Sequence, residues 1–545
     1  MSRPRGGLGP DWWREGVLYQ IYPRSYQDSN GDGVGDLKGI VARLDHLAGT
    51  DESLGIDGIW ISPFYRSPMD DFGYDVADYC DVDPQFGTLA DFDALLAAAH
   101  QRGIRVIVDL VPNHTSDRHP WFVESRSSRT NPKRDWYVWA DPKPDGSPPN
   151  EWRSVFSRVK TEAWTLDPTT GQYYLHSFLP QQPDLNWRNP EVRAAFDGIL
   201  RFWLDRGADG FRIDVAHRTV KPKDIAAGFK AENPRGTIDH TPPADEPALH
   251  ALWRDWRKLV DEYDDRMMVG ECVVLDPDKL VQFYGANNDE LHMAFNFSFL
   301  RAPWSAEAFR ERAATFERLL PAGAQPDYTL SNHDNSRAIS RYTPEGDVIR
   351  GRLRARLAAM MLLTLRGTPF IYYGEEIGMT DAPIPPDRVV DVAGRDPERT
   401  PMQWDASPSA GFSPDGAAPW LPLNPEAPIV NVEAQRGDPQ SMLSLYKTLI
   451  RVRRESAALR RGSYTTVPAP KDVFAYLREA DGERRLVLLN FGERPARVTL
   501  SRALDGTSAD AGKARVVVST NPARPQESLG DVVEVGPDEG LLLEV

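Results

Sequence analysis

The sequence predicts an α/β fold: a closed (β/α)8 barrel with a subdomain inserted after its third strand and an antiparallel β domain at its C-terminal end. Three observations predict it. Short apolar runs alternate with helix-like stretches over most of the 545 residues, the pattern of a parallel sheet covered by helices. Residues 115 to 187 break that pattern, being rich in Trp, Tyr, Pro, Asp and Ser without helical period. From about Gly462 onward, alternating segments such as Val473 to Arg478, Arg485 to Asn490 and Ala496 to Leu500 are separated by Gly/Asp turns.

The candidate barrel strands, in order, are Val17 to Tyr22, Gly58 to Ile61, Arg105 to Leu110, Gly210 to Ile213, Met267 to Val269, a further one near His292 to Phe299, Tyr328 to Leu330 and Pro369 to Tyr373. Between the second and third, Thr88 and Asp91 form a capping-box start. Phe92, Leu95, Leu96 and Ala99 then make one apolar stripe, and Gly103 fits a left-handed stop. Pro190 and Glu191 open the helix before the fourth strand, Val192, Phe196, Ile199, Leu200 and Trp203 face inward, and Gly207 ends it. The expected domains are therefore a barrel of residues 1–114 and 188–461, an insert of 115–187, and a C-terminal β-sandwich of 462–545. An active site belongs at the C-terminal ends of the barrel strands.

With 64 basic against 80 acidic residues the net charge is −16, which argues against a nucleic-acid or anionic-membrane partner and suits a neutral small substrate. Cys80 and Cys272 stand far apart without metal-ligand spacing, so no disulfide framework is expected. Met1 to Pro10 lacks an apolar core of signal-peptide length, and no apolar run reaches membrane-spanning length. The expectation is a cytoplasmic protein with no membrane partner.

Three carboxylates close strand-like runs: Asp214 ends Gly210 to Asp214, Glu271 ends Met267 to Glu271, and Asp334 ends Tyr328 to Asp334. Such groups are costly to bury unless hydrogen bonds or opposite charges satisfy them, and Arg212 and His333 lie two and one residues before two of them. Together with Asp109-Leu110-Val111-Pro112-Asn113-His114, Gly270-Glu271, Asn332-His333-Asp334, Gln182-Pro183-Asp184-Leu185-Asn186 and Arg399 to Trp404, these motifs resemble the α-amylase family of glycoside hydrolases, in its oligo-1,6-glucosidase and α-glucosidase branch. The likeness spans nearly the whole chain and implies a TIM barrel. It also implies that Asp214 is a nucleophile, Glu271 the acid/base, and Asp334 a grip on sugar hydroxyls. A retaining mechanism places the first two carboxyls about 5 to 5.5 Å apart. On this reading Arg212, on the same strand face as Asp214, lowers that group's pKa and keeps it ionised, while Glu271 is raised. His114 and His333 would donate to sugar hydroxyls, Tyr74 would be an aromatic platform, and Asp75 with Arg399 would close the pocket floor, making the enzyme exo-acting.

The resemblance leaves substrate choice open. Val215, after the nucleophile, accompanies α-1,6 activity in many members, but Ala216-His217 departs from the Asn that often follows there. Maltose and malto-oligosaccharides are the favoured substrates, with isomaltose or sucrose next, and transglucosylation uses the same intermediate. The rival readings are an oligo-1,6-glucosidase, a sucrose isomerase or a trehalose synthase. A non-enzymatic transporter subunit is disfavoured because all three carboxylates are present. Finally, Asp28, Asn30, Asp32, Val34 (through its carbonyl) and Asp36 take EF-hand-like positions one, three, five, seven and nine, with Gly33 at six. Position twelve is Gly39 rather than Glu, so a partial loop holding a structural Ca2+ or Mg2+ is expected.

Overall fold

The computed structural model of the chain describes residues 9, 11–156, 161–225, 231–232, 238–239, 244, 246–505 and 514–545. Apart from Gly9, the N-terminal decapeptide read above for a leader lies outside the described residues. Eight parallel strands form one sheet: β1 Leu18–Ile21, β2 Gly58–Ile61, β3 Arg105–Leu110, β4 Gly210–Ile213, β5 Met267–Gly270, β6 Met293–Ala294, β7 Asp327–Thr329 and β8 Thr368–Tyr372. Their order is β6-β5-β4-β3-β2-β1-β8-β7, so every strand lies beside its chain neighbour except at the β6–β7 edge, and the barrel is nearly closed. Near-continuous apolar runs suit strands buried on both faces, and β1, β2, β4, β5 and β8 are buried at every position.

The long helices α1 Leu37–Leu47, α2 Leu89–Gln101, α3 Pro190–Arg206, α4 Glu246–Val260, α5 Ala306–Leu319, α6 Val348–Thr364 and α7 Met442–Glu455 alternate with the strands. Local chemistry sets their ends as read from the sequence. Thr88 and Asp91 make a complete capping box on α2, and Gly207 ends α3 with φ 107°. The sixth strand is much shorter than the expected run from His292 to Phe299. The Asn296 side chain accepts from the Phe299 amide and starts a helical turn, Phe297–Leu300, which stops the strand at Ala294.

Between β3 and β4 the chain builds a small antiparallel sheet, Trp139–Ala140, Gln172–Leu175 and Trp164–Asp167, over an apolar cluster of Val138, Trp152, Ala163, Trp164 and Leu175. After the barrel, five antiparallel strands (Ser463–Thr466, Val473–Ala480, Glu483–Asn490, Gly540–Glu544, Arg515–Ser519) lie beside a two-stranded pair, Ala496–Thr499 with Val532–Val535. Strand alternation divides the side chains of the five-stranded sheet. Val473, Ala475, Leu477, Leu486 and Leu488 fill the core of this unit, whereas Phe474, Tyr476, Val487 and Leu489 join the barrel's core. No helix among the described residues is long and apolar enough to cross a membrane.

Two buried arginines fasten this junction. The last carbonyls of a helix have no partner within it, and α6 ends in the interior. Arg478 donates to the carbonyls of Thr364, Leu459, Gly462 and Ser463, and Arg453 to those of Leu363, Leu365 and Gly367. Burial pulls both guanidiniums down, to about 9 for Arg478 and about 10 for Arg453. Replacing Arg478 by Met strands these carbonyls. Urea unfolding is expected to show a loss of about 3 kcal/mol or more; a loss below about 1 kcal/mol would contradict the role given to this residue.

Candidate active site

Strand register assembles the centre of the site. Asp109 on β3 lies directly beside Arg212 on β4, and the parallel pleat points both the same way. Asp214, two residues past Arg212, faces with it. Arg212 is 1% exposed, and its Nη1 donates to Asp214 Oδ1 at 2.7 Å and to Asp109 Oδ1 at 2.9 Å, while Nη2 stands 3.1 Å from Glu271 Oε2. Three carboxylates thus share one buried cation, with Trp60 beneath it at 4.9 Å from ring centre to guanidinium. Asp109 is further held by the Trp60 indole N–H and the Tyr74 hydroxyl.

The titration of this cluster departs from the sequence expectation. Burial raises the Asp214 carboxyl well above the usual carboxylate range. Arg212 opposes that shift, and Glu271 and Asp109 reinforce it, so the net direction is up, not down. Burial likewise raises Asp109 to about 6 against the pull of Arg212. One guanidinium faces three buried carboxylates, and burial raises two of them, Asp214 and Asp109, against its pull.

Val215 orients Glu271. Its backbone has φ 47°, a left-handed conformation rare for a β-branched residue, and its amide donates to Glu271 Oε2 at 3.0 Å. That oxygen also faces Arg212, which leaves Oε1 without a hydrogen bond among the described residues. Asp214 Oδ2 is in the same position.

Both histidines of the site are neutral, and each is pinned by an amide. Burial lowers His114 to about 4 and His333 well below its ordinary value. The Gln20 side-chain amide meets His333 Nδ1 at 2.8 Å, and His333 Nε2 faces the Tyr74 hydroxyl at 2.6 Å and Asp334 Oδ2 at 3.3 Å. Asn113 Nδ2 meets His114 Nδ1 at 3.0 Å. In His333 the proton therefore sits on Nε2, and in His114 the Tyr74 carbonyl, 3.2 Å from Nε2, favours the same form although the Gln182 amide nitrogen also approaches Nε2 at 3.1 Å. Lys221, 4% exposed, decides the second case: its ammonium lies 2.6 Å from Asn113 Oδ1 and 3.1 Å from Asp184, which orients the Asn113 amide toward the imidazole.

The structure corrects one expected pair. Asp75 and Arg399 are buried but do not meet. Asp75 accepts from Ser67 and from the amides of Asp70 and Asp71, holding a turn, and Arg399 donates to the His333 carbonyl and to Asp334 at 2.8 Å. The ion pair at the cavity wall is Asp71 with Arg395, at 2.6 Å, each four residues before the residue expected. Arg395 also binds Asp334 at 3.0 Å and Asp391 at 2.7 Å, and Gln182 donates to Asp71. Burial opposes ionisation of Asp334, yet His333, Arg395 and Arg399 hold its carboxyl well below the usual range. Since His333 is itself neutral, the two arginines carry that effect. The loops bearing Asp71 and Arg395 have no period, and only their charges could have suggested them.

These groups line one cavity of about 530 Å3. Asp71, Tyr74, His114, Asp214, Glu271 and Asp334 face it, as do Val215, His217 and Arg395. Arg212, His333 and Arg399 stand behind the wall and act through their partners. The volume suits a small molecule of one or two sugar rings rather than a polymer segment.

The loop of residues 28–36 lies elsewhere. Asp28 accepts from the amides of Asn30, Gly31 and Gly33, and Asp32 from that of Val34; Asp36 accepts from Ser29 and caps α1. Gly33 is required by φ 91° and by the Ala418 carbonyl, which a Cβ would meet at 2.0 Å. Among the described residues no three His, Cys, Asp or Glu side chains form a group that could hold a metal ion.

Replacing Lys221 by Met is expected to free the Asn113 amide and let His114 populate the Nδ1–H tautomer. 15N-histidine NMR spectra, assigned with His114→Gln, would read this; a pure Nε2–H form in the variant would contradict it.

Comparison with known proteins identifies the family. The alpha-amylase catalytic domain family matches residues 20–462. The chain is 44% identical to a probable alpha-glucosidase of Rhizobium meliloti (strain 1021), covering 89% of this chain and 90% of that one. It is 38% identical to an oligo-1,6-glucosidase of Parageobacillus thermoglucosidasius, covering 89% and 91%. Among solved structures, the alpha-glucosyl transfer enzyme XgtA superposes with a TM-score of 0.87 at 38% identity over 99% of this chain and all of that one. The trehalulose synthase MutB from Pseudomonas mesoacidophila MX-45 does so with 0.87 at 37% over 98% and 100%. Fold, site and relatives together establish that this chain belongs to the alpha-amylase family of glycoside hydrolases.

Proposed function

We propose that the protein is a retaining, exo-acting α-glucosidase that releases glucose from the non-reducing ends of short α-glucosides, favours α-1,4 links of the maltose type, and can pass glucose to other acceptors. The observation that carries the proposal is the placement of Asp214 and Glu271 on the two terminal nitrogens of one buried guanidinium, inside the cavity. Retention needs two closely spaced carboxyls, one to attack and one to donate a proton, and a shared cation brings the two together.

In the proposed reaction Asp214 Oδ2 attacks C1 as the glycosidic C–O bond breaks, and Glu271 Oε1 delivers its proton to the leaving oxygen. Arg212 and the Val215 amide on Oε2 favour charge on that oxygen of Glu271 and so leave the proton to the other. A glucosyl ester on Asp214 results. Water, or another hydroxyl, then gives its proton to Glu271 and attacks C1, which frees Asp214. Asp334, fixed by Arg395 and Arg399, and the Nε2–H of His114 would hold ring hydroxyls, with Tyr74 as the platform. The Asp71–Arg395 bridge is part of the cavity wall, and a wall of that kind would favour action at chain ends.

A second reading is supported by the similarity to trehalulose synthase: isomerisation of sucrose, in which the released sugar is recaptured before water enters. Incubation with maltose and with sucrose separates the two. Free glucose is the expected product, and trehalulose or isomaltulose as the main product would replace the first reading by the second. Asp214→Asn is expected to lose about 10⁴-fold in kcat with an unchanged melting temperature; near-native turnover would remove Asp214 as nucleophile.

A structural Ca2+ or Mg2+ in the 28–36 loop is proposed on its ligand spacing alone, and would require Asp36 to turn from Ser29. Calorimetric titration of metal-free protein should show one site per chain. Absence of heat with either ion would refute it.

A further inference from the structure

The turn that follows β2 is strained backbone built around one buried carboxylate. Met69 has φ 67° and Phe72 φ 48°, left-handed conformations that are costly for residues with a side chain, and Asp71 lies between them. Such backbone persists only where its neighbours over-determine it. Asp75 supplies the acceptors here. It is 0% exposed and does not line the cavity. Its Oδ1 takes the Ser67 hydroxyl at 2.8 Å and the Asp71 amide at 3.0 Å, and its Oδ2 takes the Asp70 amide at 2.9 Å. The peptide N–H groups of Asp71 and of the residue before it, which set the direction of the Asp71 side chain, are thus both fixed by Asp75. Asp71 must reach partners from two other parts of the chain, Arg395 at 2.6 Å and the Gln182 amide at 2.9 Å, so a small rotation of the turn costs it both. Tyr74, beside Asp75, is held independently at its hydroxyl by Asp109 and His333.

We propose that Asp75 is a positioning residue for sugar recognition: its charge holds the turn that presents Asp71 to Arg395, and so sets how tightly the terminal glucose is bound. The inference rests on the α-glucosidase reading above and adds a control on that same site. A carboxylate accepts from three donors at once, whereas a protonated carboxyl turns one oxygen into a donor that faces N–H groups. The turn then loses bonds and its strain favours other conformations. Burial raises the Asp75 carboxyl to about 7 against the pull of its three donors, and the charge of Asp71 adds to the rise. A carboxyl raised in this way is charged above that pH and neutral below it, so recognition is full above neutrality and fades as the pH falls. The other charged groups around the turn are Asp70, Asp117 after β3, which faces Asp70, and two arginines. Both arginines have partners of their own, Arg24 in Gln85 and the Phe72 ring, and Arg395 in Asp71.

The test compares KM and kcat on maltose for the wild type and Asp75→Asn at pH 8 and pH 6. At pH 8 the variant is expected to raise KM about 10-fold while kcat changes by less than about 3-fold. At pH 6 the ratio of the two KM values should fall to about 1 to 2, because residue 75 is then neutral in both proteins. Titration of Asp214, Glu271 and Asp334 is common to both and cancels in the ratio. In an Asp71→Asn background, Asp75→Asn should alter KM by less than about 2-fold, since its effect passes through Asp71. Ser67→Ala removes one donor to Asp75 and should raise KM at pH 8 by about 2-fold; it decides the matter if Asp75→Asn does not fold. A KM ratio equal at the two pH values, a full effect in the Asp71→Asn background, or a loss carried by kcat alone overturns the proposal. Should the wild type isomerise sucrose instead of releasing glucose from maltose, the α-glucosidase reading falls, and the same comparison on sucrose still decides the role of Asp75.

Discussion

One buried guanidinium organises the catalytic half of this protein. Arg212 is almost wholly removed from water, where an unpaired cation would cost several kcal/mol, and Asp109, Asp214 and Glu271 gather on it. Three anions on one cation leave an excess of negative charge in a low-dielectric interior. Burial in that setting raises Asp214 and Asp109 above the usual carboxylate range, and Arg212 opposes the rise in both.

The rest of the fold holds this cluster in place. Strand register puts Asp109 beside Arg212, and the two-residue repeat puts Asp214 with them. The strained backbone of Val215 turns its amide onto Glu271. On the far side of the cavity, arginines take the organising role again. Arg395 joins Asp71, Asp334 and Asp391, and Arg399 ties Asp334 to the backbone of His333. Lys221 does comparable work at the insert, binding Asp184 from the Gln182-to-Asn186 stretch and Asn113 from the end of β3. The insert therefore contributes both a wall to the cavity and a reason for His114 to keep its proton on Nε2.

Where local chemistry determines structure, the sequence was readable. The strands, the capping box at Thr88 and the glycine stop at Gly207 appear where apolar period and caps put them. So do the three carboxylates, because strand ends in a barrel point at one place. What could not be read depends on long-range contact or on competition between charges. Asp71 and Arg395 are separated by more than three hundred residues and sit in loops without period, and choosing Asp75 and Arg399 instead took each residue one layer behind the cavity. The sign of the Asp214 shift was missed for the second reason. Its neighbour Arg212 is visible in the sequence, but the claims of Asp109 and Glu271 on that same cation are not. The sixth strand was overextended because an apolar run does not reveal that Asn296 will cap a turn within it.

The central claim is that Arg212 offsets part of the burial that opposes ionisation of Asp214. The most direct measurement is the pH dependence of kcat/KM on maltose for Arg212→Met beside the wild type. Without the cation, burial and the neighbouring carboxylates act unopposed, so Asp214 would ionise only at higher pH. The acid limb of the profile should move upward by a unit or more, with activity at neutral pH falling by at least about 10³-fold. An acid limb at the wild-type position, with substantial activity retained, would contradict the account.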